Sequence, residues 1–375
     1  LYTRLRRGIP MDVADINGDN KADLIVDTLS SRDIYLSDGS TWVHSNLPVP
    51  FQLLPHSTAQ SYESSISDIN NMRQAVDKGI VKLDLIALPT FDVVDQLLAS
   101  NAQYPFGSYS LGDHGFKVAG IMVPTDGAPQ LRLAYFSKPY ADLTGFGKDW
   151  RGFPYYPQST IDHYAKLAYD KNIQYFGYSN GDAGIDMTLS AIAKATKEVG
   201  FKQDRRTAIS HSMFVREDQL NQYREMDIMA LLLSNHTWLY GDVYPIILGE
   251  PRAENINPLK TIIDKGVNYG VHSDVPSSGP SILFTLWSAV NRKTLSGKVL
   301  GPDQRIDPYL ALKGVTTNAA YQYREEQSKG TIATGKLADL VELDRNPIKV
   351  KPDEIKDIRV MQTIKAGKQL YSSEN

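Results

Sequence analysis

The stretch G-T-I-A-T-G-K-L-A-D-L-V-E-L-D-R-N-P at residues 330–347, taken with H-S-D-V-P at 272–276, decides the fold of this 375-residue chain. A-D-L-V-E-L-D alternates apolar and polar residues as a half-buried strand does. I-R-V-M-Q-T-I-K-A-G-K-Q-L-Y follows as two more strands about a turn at Ala366-Gly367-Lys368, with an earlier turn at Asn346-Pro347. Asp274 stands just past the apolar run V-N-Y-G-V-H (267–272), where a strand would break into a loop.

Working back from that point, short apolar runs alternate with helical periodicity from residue 83 onward, the pattern of βα units around a parallel sheet. Strands are expected at 83–89, 116–124, 173–178, 207–211, 228–233 and 267–272. Helices are expected near 159–171, from Asp182 to Gly200, and near 216–225, 280–292 and 307–321, with Gly181 and Asp182 starting and capping the second. In a (β/α) barrel the reactive groups sit at the C-terminal ends of strands. That rule selects Met122 to Asp126, Tyr178 to Asp182, His211, His236 and Asp274.

Several blocks fall in one order along residues 52–372: F-K-V-A-G-I-M-V-P-T-D-G (116–127), S-N-G-D-A-G-I-D (179–186), H-S-M-F-V-R-E-D-Q-L (211–220), S-N-H-T-W-L-Y-G-D (234–242), L-G-E-P-R-A-E-N-I-N-P (248–258) and the closing tail. Together they resemble the amidohydrolase superfamily, in the branch that contains N-substituted formamide deformylase. The resemblance implies a hydrolase of non-peptide carbon–nitrogen bonds in which one or two divalent metals activate water. It further implies an H-x-H pair on the first barrel strand, a lysine on the fourth, histidines on the fifth and sixth, and an aspartate on the eighth. His211 matches the sixth-strand ligand, and Asp274 the eighth-strand ligand and acid/base. Met122 stands at the lysine position and Tyr178 at the fifth-strand histidine position, and no H-x-H occurs among the seven histidines. A thioether and a phenol are poor ligands for hard or borderline metals. His236 is a candidate third ligand or substrate contact, and Arg252 a candidate anion or substrate contact or a structural ion-pair partner.

The first fifty residues differ in kind. D-I-N-G-D-N-K-A-D (15–23) spaces the oxygen side chains of Asp15, Asn17, Asp19 and Asp23 around Gly18, as a tight Ca²⁺ loop requires. Ile25 and Val26 occupy the eleventh and twelfth loop positions, the latter where an EF-hand carries glutamate, and the flanks alternate as strands. With Y-L-S-D-G (35–39), the segment resembles one FG-GAP or VCBS-type repeat, the calcium-braced blade of extracellular β-propellers. An Asp/Asn-rich surface turn would show the same residues. A single blade has no neighbour of its own kind on which to bury its face.

The expected architecture is therefore α/β. A β segment over 1–50 precedes an incomplete (β/α)8 barrel over 51–325 that lacks its first strand, and β-sandwich strands follow over 326–375. Completion of the barrel by a second chain, or in a homo-oligomer, follows from the missing strand. With 40 basic and 43 acidic residues the net charge is -3, which offers no general electrostatic basis for binding nucleic acid. No apolar run has the length of a membrane span. The absence of cysteine excludes disulfides and thiolate chemistry, leaving oxygen and imidazole to hold any metal. A leucine at position 1 is what a processed or truncated product carries, and with the calcium repeat it suggests an extracellular or periplasmic protein. Two functional readings follow: a metal-dependent hydrolase with a small amide-type substrate, or an inactive descendant serving as a structural or binding component.

Overall fold

The computed structural model describes residues 11–14, 23–27, 32–37, 42–47, 58–63, 66–99, 105–112, 114–202, 204–275 and 278–374. It divides into two compact units, Leu1–Leu53 with Asp274–Pro280, and Leu54–Ser273 with Ser281–Asn375.

In the first unit, β1 (Met11–Ala14), β2 (Asp23–Asp27), β3 (Arg32–Ser37) and β4 (Trp42–Leu47) pair antiparallel in sequence order. Asp15, Asn17 and Asp19 of the expected calcium loop lie outside the described residues, and Asp23 enters only as the first residue of β2.

The second unit is built on parallel strands. β5 (Thr58–Glu63), β6 (Asp84–Pro89) and β7 (Phe116–Val118) form one run. β8 (Gly120–Pro124), β9 (Gln174–Ser179), β10 (Ala208–His211), β11 (Met229–Leu232) and β12 (Tyr269–Val271) form the other. A parallel bridge between Thr90 and Met122 joins the two runs, so that the chain through 116–124 pairs first with β6 and then with β9. Gly120 makes the changeover possible, because a Cβ there would lie 2.3 Å from the carbonyl oxygen of Gln174. All six strands expected from the sequence are present, and no strand pairs β5 with β12 among the described residues.

Side-chain alternation sorts the core into two faces. Ile121, Val123, Tyr175, Ile209, Ala230 and Leu232 pack with helices that include α3 (Gln158–Asp170), α4 (Asp182–Val199), α5 (Glu217–Glu225) and α9 (Leu259–Asp264). Their neighbours Met122, Phe176, Ala208, Met229 and Leu231 gather with Ile86 and Leu88 in a separate cluster, with Tyr178 against it. The remaining helices are α1 (Ile66–Asp77), α2 (Val94–Ala99), α6 (Asn235–Tyr240), α7 (Tyr244–Leu248), α8 (Glu250–Glu254), α10 (Ile282–Asn291), α11 (Pro308–Val315) and α12 (Thr317–Gln322). The single helix expected over 307–321 is two. Thr316 leaves helical geometry (φ -123°, ψ -88°), while its hydroxyl donates back to the Leu312 carbonyl. No helix among the described residues is long and apolar enough to cross a membrane.

The tail folds as expected into an antiparallel sheet of β13 (Leu340–Leu343), β14 (Val360–Lys365) and β15 (Lys368–Ser372). A buried ionic cluster ties it to the start of β6. The Asp84 carboxylate accepts from Lys329 Nζ at 2.6 Å, Lys365 Nζ at 2.9 Å and the Gly115 amide at 2.9 Å. Lys329 also donates to Glu325, which takes Lys117 and the Tyr109 hydroxyl on its other oxygen. Buried charges are tolerated only when paired and hydrogen-bonded in this way.

Candidate metal centre

The C-terminal ends of β10 and β12 bring together His211, His272 and Asp274. One donor atom from each lies within 4.8 Å of the others. His272 and Asp274 lie just past the end of β12. Gly270, two residues earlier, faces Leu231 of the inner cluster, so alternation carries His272 inward as well. His211 arrives differently. Strict alternation would put it on the Ile209 side, but its backbone φ is +72° and that of Ser212 is +44°. The turn brings the imidazole onto Tyr178, with ring centroids 4.3 Å apart, and beside His272 at 5.2 Å. Asp274 also has a positive φ, +62°. Left-handed backbone at a residue other than glycine costs of order 1 kcal/mol or more and clusters at functional sites.

His211 is buried, whereas His272 and Asp274 are partly exposed. Burial, helped by the neighbouring His272, holds the His211 pKa well below its ordinary value, so the ring is neutral at physiological pH and keeps a lone pair for a metal. Two imidazoles and a carboxylate around one point are the donor types of a catalytic zinc site with an open fourth position. The residues present thus fit a divalent ion.

Behind His211 lies a polar support. Its Nδ1 is 2.8 Å from Asn180 Oδ1. Asn180 Nδ2 donates to the Gly127 carbonyl at 3.1 Å and faces Asp126 Oδ1 at 3.5 Å. Asp126 is fully buried and accepts from the backbone amides of Asn180, Gly181 and Tyr135, each at 2.8 Å. Burial pushes its carboxyl up to about 7, against the opposing pull of those N–H donors. Asp182 holds the same long connection between β8 and α3 by accepting from the Ser137 amide at 2.8 Å, and it takes Arg216 at 3.0 Å on its other oxygen. Asp182 is the first residue of α4, and its Oδ1 also accepts the Ala183 amide at 3.0 Å, as expected of an aspartate at a helix start. Gly181 is the N-cap, with no side chain to take an amide.

The other residues singled out by sequence are dispersed. Met122 is buried in the inner apolar cluster. His236, near the start of α6, is buried with Nδ1 3.3 Å from the Tyr244 hydroxyl and its ring edge-on to Tyr240. Arg252 on α8 stacks on Phe136 and donates to the carbonyls of Leu248, Lys138 and Pro139. The sequence alone does not mark His272, although its two-residue spacing from Asp274 was the available signal. Asp126 and Asn180 fall within the strand-end stretches that the sequence selects, but nothing in the sequence gives either of them a role.

A parallel α/β fold with a His-His-Asp cluster at its strand ends defines a class, and sequence comparison gives the family. The chain belongs to the amidohydrolase family, whose model matches residues 55–371. Among curated relatives it is similar to the N-substituted formamide deformylase of Arthrobacter pascens, 25% identical over 217 residues that cover 58% of this chain and 40% of that protein. Among solved structures it resembles an uncharacterized metal-dependent hydrolase from Pyrococcus horikoshii, with a TM-score of 0.65 and 23% identity over 79% of this chain and 57% of that one. It also resembles a zinc-bound atrazine chlorohydrolase from Arthrobacter aurescens, with a TM-score of 0.56 and 14% identity over 85% and 68%. The chain thus spans about 40% of the curated deformylase's length and little more than half of the Pyrococcus hydrolase.

Proposed function

We propose that this chain carries the metal-binding part of a hydrolase that cleaves carbon–nitrogen bonds outside peptides, with N-formyl or N-acyl amines as the substrate class. The observation that carries the reading is the convergence of His211, His272 and Asp274. His272 supplies the third donor that the inherited pair lacks, and this favours a hydrolase over an inactive scaffold. The likeness to a formamide deformylase supports the substrate class.

The chemistry a divalent ion supplies at such a donor set is acidified water and a polarised carbonyl. The protein's own part follows from its residues. His211, kept neutral by burial, presents a lone pair rather than a proton. Asp274, partly exposed at the strand end, is placed to take a proton from water and return it to the leaving nitrogen. Tyr178, packed on His211, forms an aromatic wall beside the ring and supplies no imidazole.

We read β5 and β12 as the edges that a barrel strand from another segment or another copy of the chain would join. We assign a calcium loop to Asp15, Asn17, Asp19 and Asp23, in keeping with an exported protein. Calorimetric Ca²⁺ titration of the chain against an Asp15→Ala/Asp19→Ala variant tests it, and equal heats would end it.

The hydrolase reading is tested by metal analysis and zinc titration of the chain, with His211→Ala and His272→Ala beside it. About one equivalent is expected in the unaltered protein, with zinc affinity at least about 100-fold weaker in each variant, since three protein ligands are the usual minimum for a catalytic zinc. Zinc uptake that is absent, or that survives loss of both histidines, refutes the site. Release of formate or carboxylate from N-substituted amides then tests the substrate class.

A further inference from the structure

We infer that Asn180 is a positioning residue that fixes His211 in the tautomer protonated on Nδ1, leaving Nε2 to face the point shared with His272 and Asp274. The inference rests on the metal-site reading above and concerns a residue outside the donor set.

The orientation of the Asn180 amide is determined by its surroundings. Its Nδ2 faces the Gly127 carbonyl at 3.1 Å and the Asp126 carboxyl at 3.5 Å. Turning the amide over would set its oxygen against the Gly127 carbonyl, which can only accept, and a buried group left without its hydrogen bond costs about 1–3 kcal/mol. Oδ1 therefore points at His211, and an amide oxygen only accepts. The 2.8 Å contact must be Nδ1–H donating to Oδ1. A neutral imidazole has one N–H, so its other nitrogen carries the lone pair. Asp126 is the fixed end of the chain, because its oxygens accept from three backbone amides on two separate segments and its position follows the backbone. Partners that orient a ligating histidine through its second nitrogen tune metal affinity strongly.

The primary test needs no substitution. Protein labelled with ¹⁵N in histidine is studied metal-free near neutral pH by long-range ¹H–¹⁵N correlation, whose pattern distinguishes the two neutral tautomers. The His211 ring is assigned by comparison with His211→Phe. The Nδ1–H pattern is expected, and an Nε2–H pattern overturns the inference. In Asn180→Leu the His211 pattern should shift toward a tautomer mixture, and zinc affinity should fall by about 10–100-fold. An unchanged pattern together with unchanged affinity overturns it as well. If the Nδ1–H tautomer is found in a protein that takes up no zinc, the positioning role stands and the hydrolase reading fails.

Discussion

Gly184, in the first turn of α4, offers a substitution on which two effects of known size oppose each other. Helix propensity favours alanine over glycine by up to about 1 kcal/mol in a helix interior, and by less in a first turn. The added Cβ, however, would lie 2.7 Å from Asp126 Oδ2 and 2.9 Å from its Cγ, closer than real Cβ atoms come. A flexible surface side chain would swing aside. Asp126 cannot, because the Asn180, Gly181 and Tyr135 amides hold it at 2.8 Å. Either the helix start moves, at an overpacking cost of about 1–3 kcal/mol, or the carboxyl, ionised above about pH 7, shifts and weakens at least one hydrogen bond worth about 1.5–3 kcal/mol for a charged acceptor. Net of the helix gain, Gly184→Ala should lose about 2 kcal/mol, a shift in midpoint at unchanged slope in urea denaturation. Gly147→Ala is the control, since nothing lies within 4 Å of its Cβ, and it should fall within about 0.5 kcal/mol of the parent. A Gly184→Ala protein as stable as the parent, or more so, would refute the claim that Asp126 is immovably held.

Asp126 and His211 give stability opposite pH dependences. Between 3.8 and about 7 folded Asp126 holds a proton that the unfolded chain has released, so its contribution is full below that window and is lost as pH rises through it. Asp126→Asn should gain on the parent by about 1.4 kcal/mol per pH unit across the window, measured by denaturation at several pH values, and a gap that does not change with pH would contradict this. His211 behaves in reverse: its stability contribution is present above about 6.5 and is lost as pH falls toward its lowered folded value. Asp84→Ala should cost about 3–5 kcal/mol, because it leaves Lys329 and Lys365 buried with one acceptor fewer. Denaturant midpoints would check it, and a loss under about 1 kcal/mol would mean that water reaches the cluster.

The strands of the second unit are legible because a parallel strand covered on both faces is a nearly unbroken apolar run, and L-D-L-I-A-L-P and I-M-A-L-L-L have few alternatives. The tail strands are legible from alternation and turn residues. Half of the site is legible as well, since His211 and Asp274 end their runs. His272 is harder to find, because its meeting with His211 depends on how far β10 and β12 curve toward one another across β11. The backbone reversal at His211 leaves no mark in a sequence either, as nothing in A-I-S-H-S announces a positive φ. The helix break at Thr316 was hidden for a related reason: threonine is acceptable mid-helix until a carbonyl captures its hydroxyl.

The ionic cluster around Asp84 has a consequence for biosynthesis. Its partners Lys329 and Lys365 are 245 and 281 residues further along the chain. A ribosome adding about 5–20 residues per second emits β6 many seconds before either lysine exists. Throughout that interval the Asp84 carboxylate has neither lysine to pair with, and its burial as a charge must wait at least for Lys329. The full set of contacts at the lower end of the sheet is therefore available only to a chain translated through Lys365.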